Sequence, residues 1–265
     1  MNARRSSASQ FDFSQPHVLR RNDIRPLHGA MINGIWRGAG AVYPVRAPES
    51  TSGPDIWSEV LQPGWSISWT TLPNHEILDS HYHPVISYVA IVKGRAQLIG
   101  QQTGFVDAGS IIRIPAWHLH GFKTVPGQEP FWAITWQPLQ NSLFTGEDPN
   151  VLYAGDEGAP AEPDPRIHAE IVQSRVKPFA DKKLPAAPKF EFLDLSIEKK
   201  RQLQIAGRAI LFCVSGRVSV TTSANTYEIK EGDMVSFAAQ ASLDSVESIT
   251  CSQSEAGSAL ALMTF

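Results

Sequence analysis

The alternation of apolar and polar residues along this chain predicts many short strands. Residues 65–70, with the sequence WSISWT, place tryptophan or isoleucine at every second position and small polar residues between them. A period of two is typical of a strand with one buried face. The composition of a strand recurs in residues 82–92, 110–114, 131–137, 190–195, 209–214 and 218–222. No convincing helical period accompanies these segments, so we expect an all-β fold.

One strand leaves open which of its faces is inside. Within residues 131–137, Trp132, Ile134 and Trp136 share one face, while Thr135 and Gln137 lie on the other. A tryptophan stripe is more typical of a core than of a substrate platform. If the second face is the inner one, Gln137 becomes a polar pocket residue.

Residues 141–188 separate the two sets of strands. Prolines, glycines and acidic residues are frequent there, which is typical of an irregular connection over the surface, with residues 167–174 expected to be helical. The chain therefore divides into an N-terminal extension (1–30), a first domain (31–140), the connection (141–188) and a second domain (189–265).

Composition excludes several classes of function. The chain has 265 residues, a net charge of -3 and 42% hydrophobic residues, and its pI is near 6.2. A nucleic-acid-binding protein would show a basic patch and a high pI, and no apolar run approaches the ~20 residues that span a bilayer. Cys213 and Cys251 lack metal-ligand spacing and suit buried thiols in a reducing compartment, so a cytoplasmic location is expected.

Histidines in the first half have the spacing of metal ligands. His81 and His83 are two residues apart, so in an extended segment both side chains project to the same face. His118 and His120 repeat this spacing after Pro115, which ends the strand at residues 110–114. Imidazole is the commonest metal ligand among side chains at neutral pH and suits iron, nickel, copper and zinc. The pattern predicts a metal site.

This stretch resembles the two sequence motifs of the cupins. The first motif is Gly, five residues, His-x-His, three or four residues, Glu, six residues and Gly; the second is Gly, five residues and Pro-x-Gly-x-x-His. The matching positions in this chain are His81, His83, Gly94, Gly109, Pro115 and His120. The resemblance implies a jelly-roll barrel with His81, His83 and His120 as metal ligands.

Three positions depart from these motifs. His75 stands at the opening glycine, Ser87 at the glutamate and Trp117 at the inner glycine of the second motif. Without the glutamate, a three-histidine site replaces a four-ligand site. Alternation of the strand places Ser87 toward the metal region and Tyr88 away from it.

The second half repeats the rhythm of strand, glycine, strand and Gly-Asp turn, in residues 207–218 and 227–237. It resembles the carboxy-terminal half-barrel of class I mannose-6-phosphate isomerases, which also lacks metal ligands. No histidine follows His168. The expected architecture is two jelly-roll (cupin) β-barrels in tandem, the first binding a metal and the second metal-free.

Three neutral ligands would leave a divalent ion with its full charge and with open positions, which is typical of catalytic metal sites and favours a small chelating anion. The resemblance implies, first, an Fe(II) dioxygenase. A non-redox metal-dependent isomerase, cyclase or lyase, and a small-molecule binding protein, remain open. Fe(II) is the favoured metal, and Mn, Ni or Zn are the alternatives.

Two further residues are candidates for catalysis. Glu76 precedes the His-x-His pair by a short loop and could act as a base or ligand, although a solvated carboxylate is the simpler interpretation. His118 could be a fourth ligand or an acid–base group. The expected partners are a small-molecule substrate and a second copy of the chain in a homodimer, with no nucleic acid and no membrane.

Overall fold

The computed structural model describes residues 16–24, 27–32, 35–44, 64–138, 152–174, 177–196, 199–237 and 246–265, with only the backbone of 27–44, 246 and 247. Within these ranges the chain forms twenty strands and one short 3₁₀ turn, Arg21–Asp23, and no α-helix. The expected all-β fold is confirmed. The first 15 residues of the expected extension, and the expected domain boundary at residues 140–141, lie outside the described part.

A helix long and apolar enough to cross a bilayer does not occur in the described ranges.

Two sheets form the first barrel. The larger contains, in spatial order, β12 (Glu170–Gln173), β9 (Ser110–Ile114), β6 (Ser87–Lys93), β11 (Phe131–Pro138), β4 (Trp65–Leu72), β3 (Ile35–Pro44) and β2 (Leu27–Ile32). The smaller contains β5 (Ile77–His81), β10 (His120–Thr124), β7 (Arg95–Gly100) and β8 (Gly104–Asp107). An apolar core that includes Ile91, Leu98 and Phe122 fills the space between them.

The second barrel is built in the same way. Its larger sheet contains β1 (His17–Leu19), β18 (Met234–Phe237), β15 (Ala209–Ser215), β20 (Ala259–Thr264) and β13 (Lys189–Asp194). Its smaller sheet contains β14 (Lys200–Ala206), β19 (Val246–Gln253), β16 (Arg217–Thr221) and β17 (Thr226–Lys230). Cys213 and Cys251 are free thiols in the core between these sheets, and burial raises the pKa of each to about 12. The fold is therefore two jelly-roll barrels.

The centre of the larger sheet of the first barrel, formed by β4, β6 and β11, is buried on both faces. Along β6, Val89 and Ile91 pack inside the first barrel, whereas Tyr88 belongs to a second cluster shared with the other barrel. In that cluster Tyr88 stacks on Trp136 at 5.2 Å between ring centroids, and Trp136 stacks on Phe190 at 5.3 Å. The face of β11 that carries Trp136 is thus core, and the opposite face lines the first barrel.

One expected element differs from the structure. Residues 167–174 were expected to contain a helix, but Glu170–Gln173 form β12, antiparallel to β9, with Glu170 opposite Arg113 and Gln173 opposite Ser110. The prediction of a helix here is wrong because β9 offers an unpaired edge to this segment. Two adjacent β-branched residues in the segment also favour an extended backbone.

The later part of the connection is fastened by a buried carboxylate. Asp181, only 6% exposed, accepts hydrogen bonds from the Tyr88 hydroxyl at 2.6 Å, from Arg113 Nε at 2.7 Å and from the Lys183 backbone N–H at 2.7 Å. Burial alone would raise the pKa of Asp181, but the hydrogen bonds from Tyr88 and Arg113 outweigh it and lower the pKa. This group attaches the connection to the first barrel.

Candidate metal centre

Strand pairing brings together one histidine from each motif. His81 ends β5 and His120 begins β10, and the two residues lie directly opposite each other in the antiparallel pair. Opposed residues of such a pair have Cβ atoms about 4.5–5.5 Å apart. His83 follows just beyond β5, where its carbonyl accepts a hydrogen bond from the backbone N–H of Trp117 at 2.8 Å. That bond fixes His83 against the turn that leads into β10.

The three rings converge on one small volume. His81 Nε2 lies 3.1 Å from His83 Nε2, and one nitrogen from each of His81, His83 and His120 lies within 4.8 Å of the others. Their ring centroids are 4.7, 4.7 and 5.1 Å apart. All three side chains are buried. Among the described residues this is the group that could hold a metal ion, and it contains no carboxylate.

Backbone carbonyls orient two of these rings. His81 Nδ1 donates to the Asp79 carbonyl at 2.7 Å, and His120 Nδ1 donates to the His118 carbonyl at 2.8 Å. A carbonyl only accepts, so each Nδ1 carries the proton and each Nε2 keeps its lone pair. Such carbonyl partners orient metal-binding imidazoles in proteins.

The charge state of the rings also suits a metal. Burial lowers the pKa of His81. For His120, burial together with the nearby His81 and His83 lowers the pKa well below its usual value. Imidazoles must be neutral to bind a metal, so these two are ready ligands at neutral pH. Three imidazoles form a donor set that suits a divalent transition metal.

The position of the cupin glutamate holds a neutral hydrogen-bonded pair. Ser87 is buried at the start of β6, on the same side as Val89, and its hydroxyl donates to Gln137 Oε1 at 3.2 Å. The inward direction expected for Ser87 agrees with this structure, and Gln137 lies on the inner face of β11. A serine–amide pair therefore lines the barrel where a carboxylate would add negative charge.

The two candidate catalytic residues lie in different places. Glu76 precedes His81 by five residues, a span of about 16 Å along an extended strand. Its backbone is hydrogen-bonded to Thr124, at the far end of β10. The structure does not bring Glu76 to the histidines.

His118, in contrast, is close to the cluster. Its side chain is fully buried, and its ring centroid lies 6.0 Å from that of His120. Neither ring nitrogen has a hydrogen-bond partner among the described residues. A buried polar group without a partner is costly, so these nitrogens are suited to pair with something that enters the site.

Sequence reasoning missed Tyr153. This residue of the connection is 5% exposed, and its ring centroid lies 6.1 Å from that of His81. It follows the histidine motifs at a distance in sequence and has no ligand spacing, so no local signal marked it. The connection therefore contributes to the surroundings of the histidines, which its composition did not predict.

The two residues that stand in place of motif glycines keep a backbone conformation that is typical of glycine. His75 has φ of 69° and Trp117 has φ of 63°, and both values lie in the left-handed region. Glycine reaches this region without penalty, whereas other residues pay roughly 1–2 kcal/mol. The chain thus keeps the turn geometry around the histidines although the glycines are gone.

The structure, rather than the sequence, relates this chain to known proteins. Neither protein-family models nor curated proteins match the sequence. Among solved structures, protein Ylba from E. coli superposes with a TM-score of 0.59 at 12% identity, covering 99% of this chain and 96% of its own. The E. coli pirin YhhW, solved in complex with nickel(II), gives 0.57 at 10% identity, with coverages of 94% and 98%.

A third similar structure is salicylate 1,2-dioxygenase from Pseudoaminobacter salicylatoxidans, solved as adducts with gentisate. Its TM-score is 0.54 at 12% identity, and the match covers 96% of this chain and 82% of the dioxygenase. All three have the cupin fold. At these identities the likeness establishes a shared fold, and function must be argued from the site.

Proposed function

We propose that this protein is a metal-dependent enzyme that acts on a small anionic or chelating organic substrate at the His81, His83 and His120 centre. The observation that carries the proposal is the convergence of three buried imidazoles, two of which, His81 and His120, have their rings oriented by backbone carbonyls. A structural metal site is closed by protein ligands, whereas a catalytic site keeps a position for water or substrate. Three ligands leave such a position.

The residues around the histidines favour an anionic substrate. The metal-ligating group contains no carboxylate, so a bound divalent ion would keep its charge. The neighbouring wall carries the uncharged Ser87–Gln137 pair. A substrate with two oxygen donors, or with an oxygen and a sulfur donor, would supply the negative charge that balances the ion, because no protein ligand is negatively charged.

We propose His118 as the polar residue that contacts the bound substrate. Its ring is buried 6.0 Å from His120 between centroids, and both nitrogens lack partners in the described part of the chain. A substrate heteroatom placed beside the metal would give one of these nitrogens its missing hydrogen bond. Glu76 is not included, because its strand position keeps it away from the histidines.

The reaction we favour is oxygen-dependent cleavage or oxidation with Fe(II). A ferrous ion held by three neutral ligands would supply oxygen chemistry while the open positions accept the substrate. Support comes from the ligand set and from the shared fold with a dioxygenase. The protein's own part is to hold the rings, to exclude water by burial and to orient the substrate through His118.

The test is metal loading followed by oxygen uptake. Purified protein is loaded anaerobically with Fe(II), Mn(II), Ni(II) or Zn(II) and offered diketones, hydroxybenzoates and thiol carboxylates, with His81→Ala as the matched control. Oxygen consumption that requires Fe(II) and is absent in His81→Ala supports the dioxygenase. Turnover without oxygen consumption indicates non-redox metal chemistry instead. A protein that binds none of these metals would refute the proposal.

A further inference from the structure

The connection between the barrels crosses the end of the first barrel at which the histidines meet. Tyr82, which lies between His81 and His83, exchanges two backbone hydrogen bonds with Leu152, at 2.7 and 3.1 Å. This bridge places the start of the described connection directly against the His-x-His segment.

A second anchor lies beside the other histidine motif. Gln101 donates its side-chain amide to the carbonyls of Asp164 at 2.5 Å and Ile167 at 2.6 Å. The backbone N–H of Gln101 also donates to the carbonyl of Leu119, the residue between His118 and His120, at 2.9 Å. The two anchors tie residues 152–169, called the cover segment below, to the chain beside both histidine motifs.

Tyr153 is held firmly within this cover segment. Its backbone N–H donates to Asp156 Oδ2 at 2.8 Å, and its carbonyl accepts from the Asp156 backbone N–H at 3.0 Å. The preceding residue, Leu152, is paired with Tyr82. The ring therefore has a defined position, 6.1 Å from the His81 ring between centroids and inclined at 62° to it.

We propose that Tyr153 is a specificity-determining residue of the metal site, whose phenol hydroxyl donates a hydrogen bond to an anion bound at the three histidines. The inference rests on the proposed function. A phenol hydroxyl is an uncharged hydrogen-bond donor. Its ring lies against a ligand ring, and a hydroxyl is the only polar group that this side chain can offer. Tyr153 thereby selects ligands that place an acceptor oxygen or nitrogen toward the cover segment.

The test uses the full-length protein loaded with Co(II) and titrated with azide, a small anion that enters open metal positions, with visible absorption as the readout. Tyr153→Phe keeps the ring and removes only the hydroxyl. We expect unchanged Co(II) content and azide affinity lower by about 10- to 100-fold, the usual worth of a hydrogen bond to a charged group. Tyr227→Phe, at a half-buried tyrosine of the second barrel, is the matched control and should behave like wild type.

The outcomes separate this inference from the proposed function. Equal azide affinity in wild type and Tyr153→Phe, with Co(II) bound in both, overturns the role of Tyr153 and leaves the metal site intact. Failure of the wild type to bind Co(II) overturns the proposed function and this inference with it. If Tyr153→Phe does not fold, Tyr153→Leu replaces it, and unchanged azide affinity in that variant has the same consequence.

Discussion

His81 and His120 occupy directly opposed positions on two antiparallel strands, β5 and β10. Their proximity is therefore a product of strand pairing and needs no metal. We expect the metal-free protein to be folded, with its far-ultraviolet circular dichroism unchanged after chelation. Binding to the native state alone adds about 2.7 kcal/mol of stability at a free metal concentration 100 times Kd. Thermal unfolding at several metal concentrations measures this increase, and an unfolded metal-free protein would contradict it.

Removing one ligand should abolish tight metal binding. His81→Ala leaves only two imidazoles in the group, and even the loss of an outer-shell partner typically costs about 10–100-fold in metal affinity. We expect a loss of more than about 100-fold, measured by isothermal titration and by elemental analysis. His17→Ala, on β1 of the second barrel, is the matched control. A folded His81→Ala protein with full metal content would disprove the ligand assignment.

The chain should bind one metal ion. No histidine follows His168 in the sequence, and the two cysteines of the second barrel are buried thiols whose raised pKa of about 12 disfavours the thiolate that a metal needs. Elemental analysis of protein loaded with excess metal and then desalted should give a ratio of one. A reproducible ratio of two would require a second site that these observations do not provide.

Replacing Ser87 by glutamate should restore the fourth ligand that the motif has lost. Ser87→Glu is expected to keep or increase metal affinity and to weaken binding of an anion such as azide. Two unit charges about 4 Å apart interact by up to about 4 kcal/mol at an effective dielectric constant near 20, and partial neutralisation by the metal reduces this value.

Ser87→Gln, which has a similar size and no charge, is the control for that variant. It should lower azide affinity less than Ser87→Glu does, because only the glutamate repels the anion. If Ser87→Glu changes neither metal content nor azide affinity, Ser87 does not face the ion, and the inward assignment of its side chain is wrong.

Asp181 should make stability depend on acid pH. Its folded-state pKa is lowered, so its contribution is complete above the unfolded-state pKa of about 3.9 and is lost as pH falls through the folded value. Asp181→Ala should cost about 3 kcal/mol, the lower end for breaking a buried ion pair, because Glu170 still lies 3.8 Å from Arg113.

Urea unfolding between neutral pH and pH 3 tests both parts of that prediction. Asp181→Asn should show a shallower loss of stability on acidification than wild type, since it lacks the titrating carboxyl. Asp107→Asn is the control, because the Asp107 side chain is 57% exposed and its pair with Arg95 lies on the surface. Identical acid profiles for wild type and Asp181→Asn would contradict the assignment.

Local patterns predicted the strands and the histidine cluster for a physical reason. The strands expected at residues 65–70 and 110–114 are both found, although β4 is buried on both faces and not on one. The shared face of His81 and His83 follows from their local two-residue spacing, whereas His120 reaches them through the pairing of β10 with β5. The motif resemblance held although two glycines are replaced, because His75 and Trp117 adopt the left-handed backbone conformation that glycine would adopt.

Other features depend on pairing between distant segments, and the local sequence does not predict them. Tyr153 reaches His81 because Leu152 pairs with Tyr82, a partnership between segments about 70 residues apart. β12 is extended because β9 has a free edge, which overrides the expected helix. The tryptophan face of β11 packs against the second barrel, and the opposite face therefore lines the first barrel.

The aromatic stack of Tyr88, Trp136 and Phe190 means that the two halves of this chain are not interchangeable modules. Trp69 also packs edge-on against Phe212 of the second barrel, at 5.7 Å between ring centroids. A fragment that ended before β13 would expose this whole aromatic face to water, and large contiguous apolar patches drive association. The second barrel therefore covers an apolar face of the first barrel, and we expect a chain shortened to the first barrel to aggregate.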